Sequence, residues 1–191
     1  MSAHKPLEGV KVVELASFVA APTAGRMMAE MGADVIRVES TAGDPWRFYG
    51  ANCGLPITDE ENPLFDIYNL GKKDIQLNTK TPEGKEILFH LLDEADVFIT
   101  NNRLKSLVRS GLDYESLKDR FPKLIYGLVT GYGQTGPDVD APGYDGVAFF
   151  SRSGMLADMA EPSGYPASAP GCIGDGATGA ALFWRYLCSA F

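Results

Sequence analysis

Hydrophobic residues along the chain fall into short β-branched runs separated by amphipathic stretches. Val10–Leu15 is compact, apolar and rich in valine, the mark of a buried strand. Ala16 to Pro22 reads as a loop, and Pro22 suits the first turn of a helix. Apolar positions at helical spacing run from Thr23 to Met31, and Gly32 stops them. Asp34–Glu39 is a second strand. A crossover this short, carrying one helix, implies a parallel pair with a right-handed connection.

The alternation continues. Residues 40–70 are rich in loop formers, and Asp74–Leu77 reads as a short strand. Thr81-Pro-Glu83 opens a helix with a capping hydroxyl, a proline at the first helical position and an early acid. Ile87, Leu88, Leu91 and Leu92 form its expected inward stripe. Val97–Thr100 and Leu124–Thr130 are further strands, with short helices at Leu104–Arg109 and Tyr114–Arg120 between them. Strands alternating with helices predict an α/β fold, a Rossmann-like parallel sheet with flanking helices. Beyond Thr130 the pattern loosens. A Gly/Pro/Asp loop at 131–143 leads to a helix over Tyr144–Met155 and a second loop through Ala169. A short turn or strand end at Gly171–Asp175 and a final apolar helix over Thr178–Phe191 follow.

Composition narrows the class. Of 191 residues, 45% are hydrophobic and 22% charged, which excludes collagen, coiled coil and a disordered tail. The formal net charge of −8 disfavours nucleic acid and anionic membranes as partners. No apolar run reaches the ~18 residues of a membrane span, and the polar N-terminus has no signal-peptide core. Cys53, Cys172 and Cys188 lack the spacing of a metal clamp or redox pair, so free thiols in a reducing cytoplasm are expected. His4 and His90 are the two histidines, so serine–histidine or cysteine–histidine catalysis has little support. Nucleophilic and acid–base work then falls to carboxylates.

Gly131-Tyr-Gly-Gln-Thr-Gly136 has the G-x-G-x-x-G spacing. It follows a strand, but Pro137 and more loop come where a phosphate-binding helix should start. A mobile or ligand-covering loop is the better reading. Asp175 lies between glycines just before an apolar helix. An aspartate there is a favoured N-cap. The same setting also lets an acyl group approach a nucleophilic carboxylate, with nearby backbone N–H groups as oxyanion donors. Arg37, Lys72, Lys73, Arg103, Lys105 and Arg109 fall near strand ends or in loops, where open α/β sheets bind ligands. Each is a solvated surface charge or part of an anion site. Asn101 and Asn102 are turn residues or ligand donors on the same grounds.

Several segments together resemble class III (family III) CoA-transferases, the group that includes formyl-CoA and carnitine CoA-transferases. They are Leu7–Leu15, Gly32–Glu39, Asn69–Ile75, Lys80–Gly84, Ala95–Val97, Gly131–Pro137, Gly143–Gly146 and Gly174–Gly179, in the family's order. Ser17–Pro22 and Gly43–Pro45 look most like the subgroup that acts on 2-hydroxyacyl-CoA and enoyl-CoA pairs, such as cinnamoyl-CoA:phenyllactate and 2-hydroxyisocaproate CoA-transferases. The resemblance implies that Asp175 is the nucleophile and that an aspartyl anhydride and an aspartyl-CoA thioester carry the transfer. It implies contacts to CoA from Ser17, Phe18, Val19, Ala20, Lys72, Lys73, Asn101, Arg109, Gly131 and Tyr132. Coenzyme A then enters as a thioester substrate, with no tightly bound cofactor and no metal. A carboxylic acid is the second substrate, and a homodimer, interlocked in the family, is the expected assembly. Ser17, Ser40 and Thr130 depart from the basic residues of the oxalate-linked member.

An α-methylacyl-CoA racemase shares the family fold but needs a histidine where this chain has Tyr144. Family members run to about twice this length, with a second, smaller domain. The resemblance therefore implies that residues 1–191 form the N-terminal part of the large domain. An inactive CoA-binding fragment is the alternative to a self-sufficient enzyme.

Overall fold

The computed structural model describes residues 4–58, 60–166 and 171–190. The end of the second expected loop and Phe191 lie outside these. Five strands form one sheet: β1 (Lys11–Leu15), β2 (Asp34–Glu39), β3 (Lys73–Gln76), β4 (Val97–Thr100) and β5 (Ile125–Leu128). Their order is β3-β2-β1-β4-β5 and every pairing is parallel, as expected. Val12 aligns with Val35 and Val97, and Val13 with Ile36 and Phe98. Alternate residues therefore feed opposite faces of the sheet.

One face carries Val12, Val35, Val97 and Ile99 against α1 (Ala20–Glu30) and the final helix. On the other, Val13, Leu15, Val38 and Phe98 meet α4 (Pro82–Glu94) and residues Leu107, Leu112, Leu117 and Phe121. Between these lie the short helices α2 (Trp46–Tyr49) and α3 (Pro63–Asn69), then α5 (Leu104–Ser110) and α6 (Tyr114–Leu117). The α4 cap forms as the sequence predicts, with Thr81 Oγ1 accepting the Gly84 N–H at 3.1 Å. Its apolar stripe is narrower than expected. Leu88 and Leu92 are buried, whereas Ile87 is 48% exposed.

The C-terminal third differs most from the expectation. In place of one helix over 144–155 there is a π-helical segment, Asp145–Ser151, followed by a separate turn, α7 (Met155–Asp158). The last helix, α8 (Ile173–Ala190), starts five residues earlier than the sequence suggests. Gly131 in the G-x-G-x-x-G run has a packing role. A Cβ there would stand 2.4 Å from the Gly143 Cα, so the run closes loop against loop.

Candidate active site

The chain runs from β1 outward to β3, then returns to place β4 on the far side of β1. Loops leaving β1 and β4 part at that switch point, where open α/β sheets form their ligand crevice. A cavity of about 410 Å³ occupies it. Ser17, Phe18 and Ala20 line it from the β1 loop, Asn101 to Leu104 from the β4 loop, and Thr130 and Gly131 from the β5 loop. Tyr144, Asp145 and Phe149 close one side, and Gly174, Asp175 and Thr178 of α8 another. A smaller cavity of about 260 Å³ shares Ser17 and Asn102 and extends over the ends of β2 and β3.

Asp175 sits inside the first turn of α8, so it is not the cap. Asp145 performs that task from another segment. Its Oδ2 accepts the Cys172 N–H at 2.8 Å and its Oδ1 accepts the Asp175 N–H at 3.1 Å. Gly174 makes the arrangement possible. A Cβ there would lie 2.2 Å from Phe149 Cγ and 2.5 Å from Asp145 Oδ1. Burial, and secondarily the Asp145 charge, push the Asp175 carboxyl up to about 6. A helix N-terminus alone would pull it down, so desolvation and the like charge prevail. At pH 7 such a group is still mostly ionised, yet more basic than an ordinary carboxylate. Two of the backbone donors expected beside it are already engaged. The Asp175 N–H serves Asp145 and the Gly176 N–H serves the Cys172 carbonyl at 2.9 Å.

The other predicted contacts divide. Ser17, Phe18, Ala20, Asn101 and Gly131 line the cavity. Val19 is outside the lining, with its side chain in a cluster with Trp46 and Phe65. Asn101 braces the loop. Its Oδ1 accepts the Ser17 N–H at 3.0 Å and its Nδ2 donates to the Ser17 carbonyl at 2.7 Å. Tyr132 is outside the lining and carries Arg152 over its ring at 5.6 Å.

Three cations expected at the ligand do not line the cavity. Lys72 is buried against Glu14, with Nζ 2.8 Å from Oε2, and also donates to the Pro22 carbonyl at 2.9 Å. A charged residue in the central strand must be paired, and Lys72 is its counter-ion. Burial lowers the Lys72 ammonium below its ordinary range even so. Lys73 begins β3 and pairs with Asp34 at the opposite end of the sheet from the cavity. Arg109 is exposed on the last turn of α5, away from the lining. Among the described residues the basic side chain that lines the main cavity is Arg103. It stands at the carboxyl end of β4, a position visible in the sequence but indistinguishable there from its basic neighbours.

Comparisons with known proteins identify the family and the fold. A cinnamoyl-CoA:phenyllactate CoA-transferase from Clostridium sporogenes is 50% identical over 167 residues, covering 87% of this chain and 40% of that protein. An (R)-2-hydroxy-4-methylpentanoate CoA-transferase from Clostridioides difficile is 44% identical over 176 residues, covering 92% of this chain and 44% of that protein. A crystal structure of a CAIB/BAIF family protein from Brucella suis matches with a TM-score of 0.86 at 37% identity, over 98% of this chain and 50% of that one. The chain thus spans 40% and 44% of the length of these two curated relatives. The family profile described as CoA-transferase family III matches residues 7–190, and the chain belongs to that family.

Proposed function

We propose that this chain supplies the nucleophile and part of the thioester site of an enzyme that moves coenzyme A from an acyl-CoA donor to a carboxylic acid. The observation that carries this reading is Asp175, half-buried at the switch-point cavity with its carboxyl raised to about 6. An Asp175 oxygen attacks the thioester carbonyl, a C–O bond forms, and the C–S bond breaks to release CoA thiolate. The thiolate then attacks the aspartyl carbonyl, which frees the donor acid and leaves an aspartyl-CoA thioester. The acceptor carboxylate attacks that carbonyl in turn, releasing the thiolate and forming a second anhydride. Thiolate attack on the acceptor's acyl carbon gives the new CoA ester and restores Asp175. One thioester replaces another, so no nucleotide hydrolysis is required.

The acyl groups are read as 2-hydroxy acid and enoate pairs with an aromatic or branched chain. Phe18, Tyr144 and Phe149 in the lining support this, as do the substrates in the names of the two relatives. Arg103 is the cation best situated for a phosphate or carboxylate of the ligand. Coenzyme A enters as substrate rather than as a resident cofactor, and the working assembly is a cytoplasmic homodimer. Trp184 of α8 is 63% exposed, which suits burial against further protein. Light scattering on the complete protein reads the assembly.

Incubation with cinnamoyl-CoA and hydroxylamine, followed by peptide mass spectrometry, tests the mechanism. A hydroxamate at Asp175 is expected. Transfer without a trapped Asp175 adduct, or solvent deuterium appearing at the α-carbon instead of transfer, overturns the reading.

A further inference from the structure

Two non-glycine residues beside the cavity hold backbone conformations that side chains disfavour. Phe18 has φ +60° and Cys172 has φ +69°. For a residue as bulky as phenylalanine this is strained, and it persists only where the surroundings over-determine it. Both sites use one device, a carboxylate that accepts the strained residue's own N–H. Cys172 donates to Asp145, and Phe18 donates to both oxygens of Asp44 at 3.2 and 3.1 Å.

Asp44 is not an ordinary turn residue. It is 3% exposed and also accepts the Trp46 N–H at 2.9 Å. Its carboxylate pairs with Arg37, a fully buried side chain on β2. Arg37 donates in turn to Asn69, and its Nε stands 3.2 Å from Glu39 Oε1. The clamp on Phe18 is therefore anchored in the sheet. At the other end of this chain of contacts, the Phe18 ring meets Trp46 and Tyr144 edge-on, with centroids 6.3 and 6.1 Å apart. Phe18 and Tyr144 both line the cavity that holds Asp175.

We infer that Asp44 is a positioning residue for acyl selection. Through the Phe18 N–H it holds the loop left-handed, and that conformation fixes the Phe18–Tyr144 aromatic wall against which a planar or branched acyl group lies. A short acyl group does not reach the wall and is indifferent to it. The selection so assigned rests on the transferase reading of Asp175.

The test compares Asp44→Asn, Phe18→Gly and the double variant in the complete protein, with cinnamoyl-CoA and acetyl-CoA as donors. The asparagine keeps the side-chain volume and one acceptor but loses the charge facing Arg37. The ratio of kcat/KM for cinnamoyl-CoA over acetyl-CoA is expected to fall about tenfold in each single variant and no further in the double. A loss shared equally by both donors, or effects that multiply in the double, overturns the inference. Thermal unfolding keeps it falsifiable if Asp44→Asn folds poorly. Glycine needs no clamp at a positive φ, so the Tm loss from Asp44→Asn should shrink in the Phe18→Gly background. An equal loss in both backgrounds makes Asp44 merely structural. Calorimetric binding of the two thioesters separates the two readings. An inactive protein whose binding preference still follows Asp44 sinks the transferase reading alone. An active one whose preference ignores Asp44 sinks the wall alone, and a protein that binds neither thioester sinks both.

Discussion

Asp145 lies thirty residues before Asp175 and caps its helix, accepting the Asp175 N–H at 3.1 Å while its charge faces the Asp175 carboxyl. On the proposed function, structure and reactivity are thus coupled in one contact. On the proposed mechanism, attack on a thioester needs the ionised form of Asp175. With its carboxyl raised to about 6, ionisation is lost as pH falls through that value. The rate should therefore rise with pH along a limb centred near 6. In Asp145→Asn the like charge is gone but the burial, the larger cause, remains, so the limb should move to lower pH without reaching the ordinary carboxylate range. A kcat/KM profile between pH 4.5 and 8 checks this. A limb that stays in place would mean that Asp145 serves only as a cap.

Replacement of Asp175 itself should separate activity from stability. If Asp175 is the covalent nucleophile proposed above, Asp175→Asn should lower transfer on the order of 10³-fold or more. The same change should not weaken the fold. A carboxyl whose folded value is raised keeps its proton more tightly in the folded chain than in the unfolded one. Ionising it then costs stability, beginning above its ordinary value near 4 and complete above about 6. The variant should be at least as stable as the parent at pH 8 and gain nothing at pH 3.5. Urea unfolding at the two pH values makes the comparison.

The parallel sheet and the use of its carboxyl end follow from features that a sequence displays, whereas the strand order does not. β-branched runs separated by one or more helices leave little but a parallel α/β sheet, and such sheets bind at their carboxyl ends. Partners distant in sequence are a different matter. Lys72 and Lys73 are neighbours, yet one turns inward to Glu14, 58 residues away, and the other outward to Asp34. Local pattern assigns a lysine to a strand end but not to a counter-ion, because the counter-ion is chosen by register and packing. Asp145 was legible as a motif member and invisible as a cap for the same reason. The π-helical segment beginning at Asp145 also escaped the 3.6-residue periodicity on which helix recognition depends.

The Lys72–Glu14 pair yields a stability prediction where the sequence suggested a ligand contact. Both side chains are essentially without solvent exposure. Lys72→Ala would leave the Glu14 carboxylate buried beside Arg37 alone, at 4.0 Å. Breaking one partner of a buried pair costs about 3–5 kcal/mol. The midpoint of denaturant unfolding should fall accordingly. The salt dependence of acyl-CoA binding by the folded fraction should be unaltered. A stable variant with weakened binding would restore Lys72 to the ligand.

Arg103 carries the opposite expectation. It lines the main cavity, is exposed, and has no ion pair among the described residues. Its removal should therefore leave the fold intact and act on ligand binding. A charge-assisted hydrogen bond to a phosphate or carboxylate contributes about 1.5–3 kcal/mol, so Arg103→Ala should weaken acyl-CoA binding roughly 10- to 100-fold. Arg103→Lys should recover only part of the loss, since an ammonium keeps the charge without the two-pronged geometry. Arg109→Ala and Lys73→Ala should change binding less than about threefold, because neither side chain reaches the cavity. Titration of acyl-CoA at two salt concentrations separates the cases. Only the Arg103 variant should show a flattened salt dependence, and a comparable flattening in Arg109→Ala would relocate the anion site to the outer turn of α5.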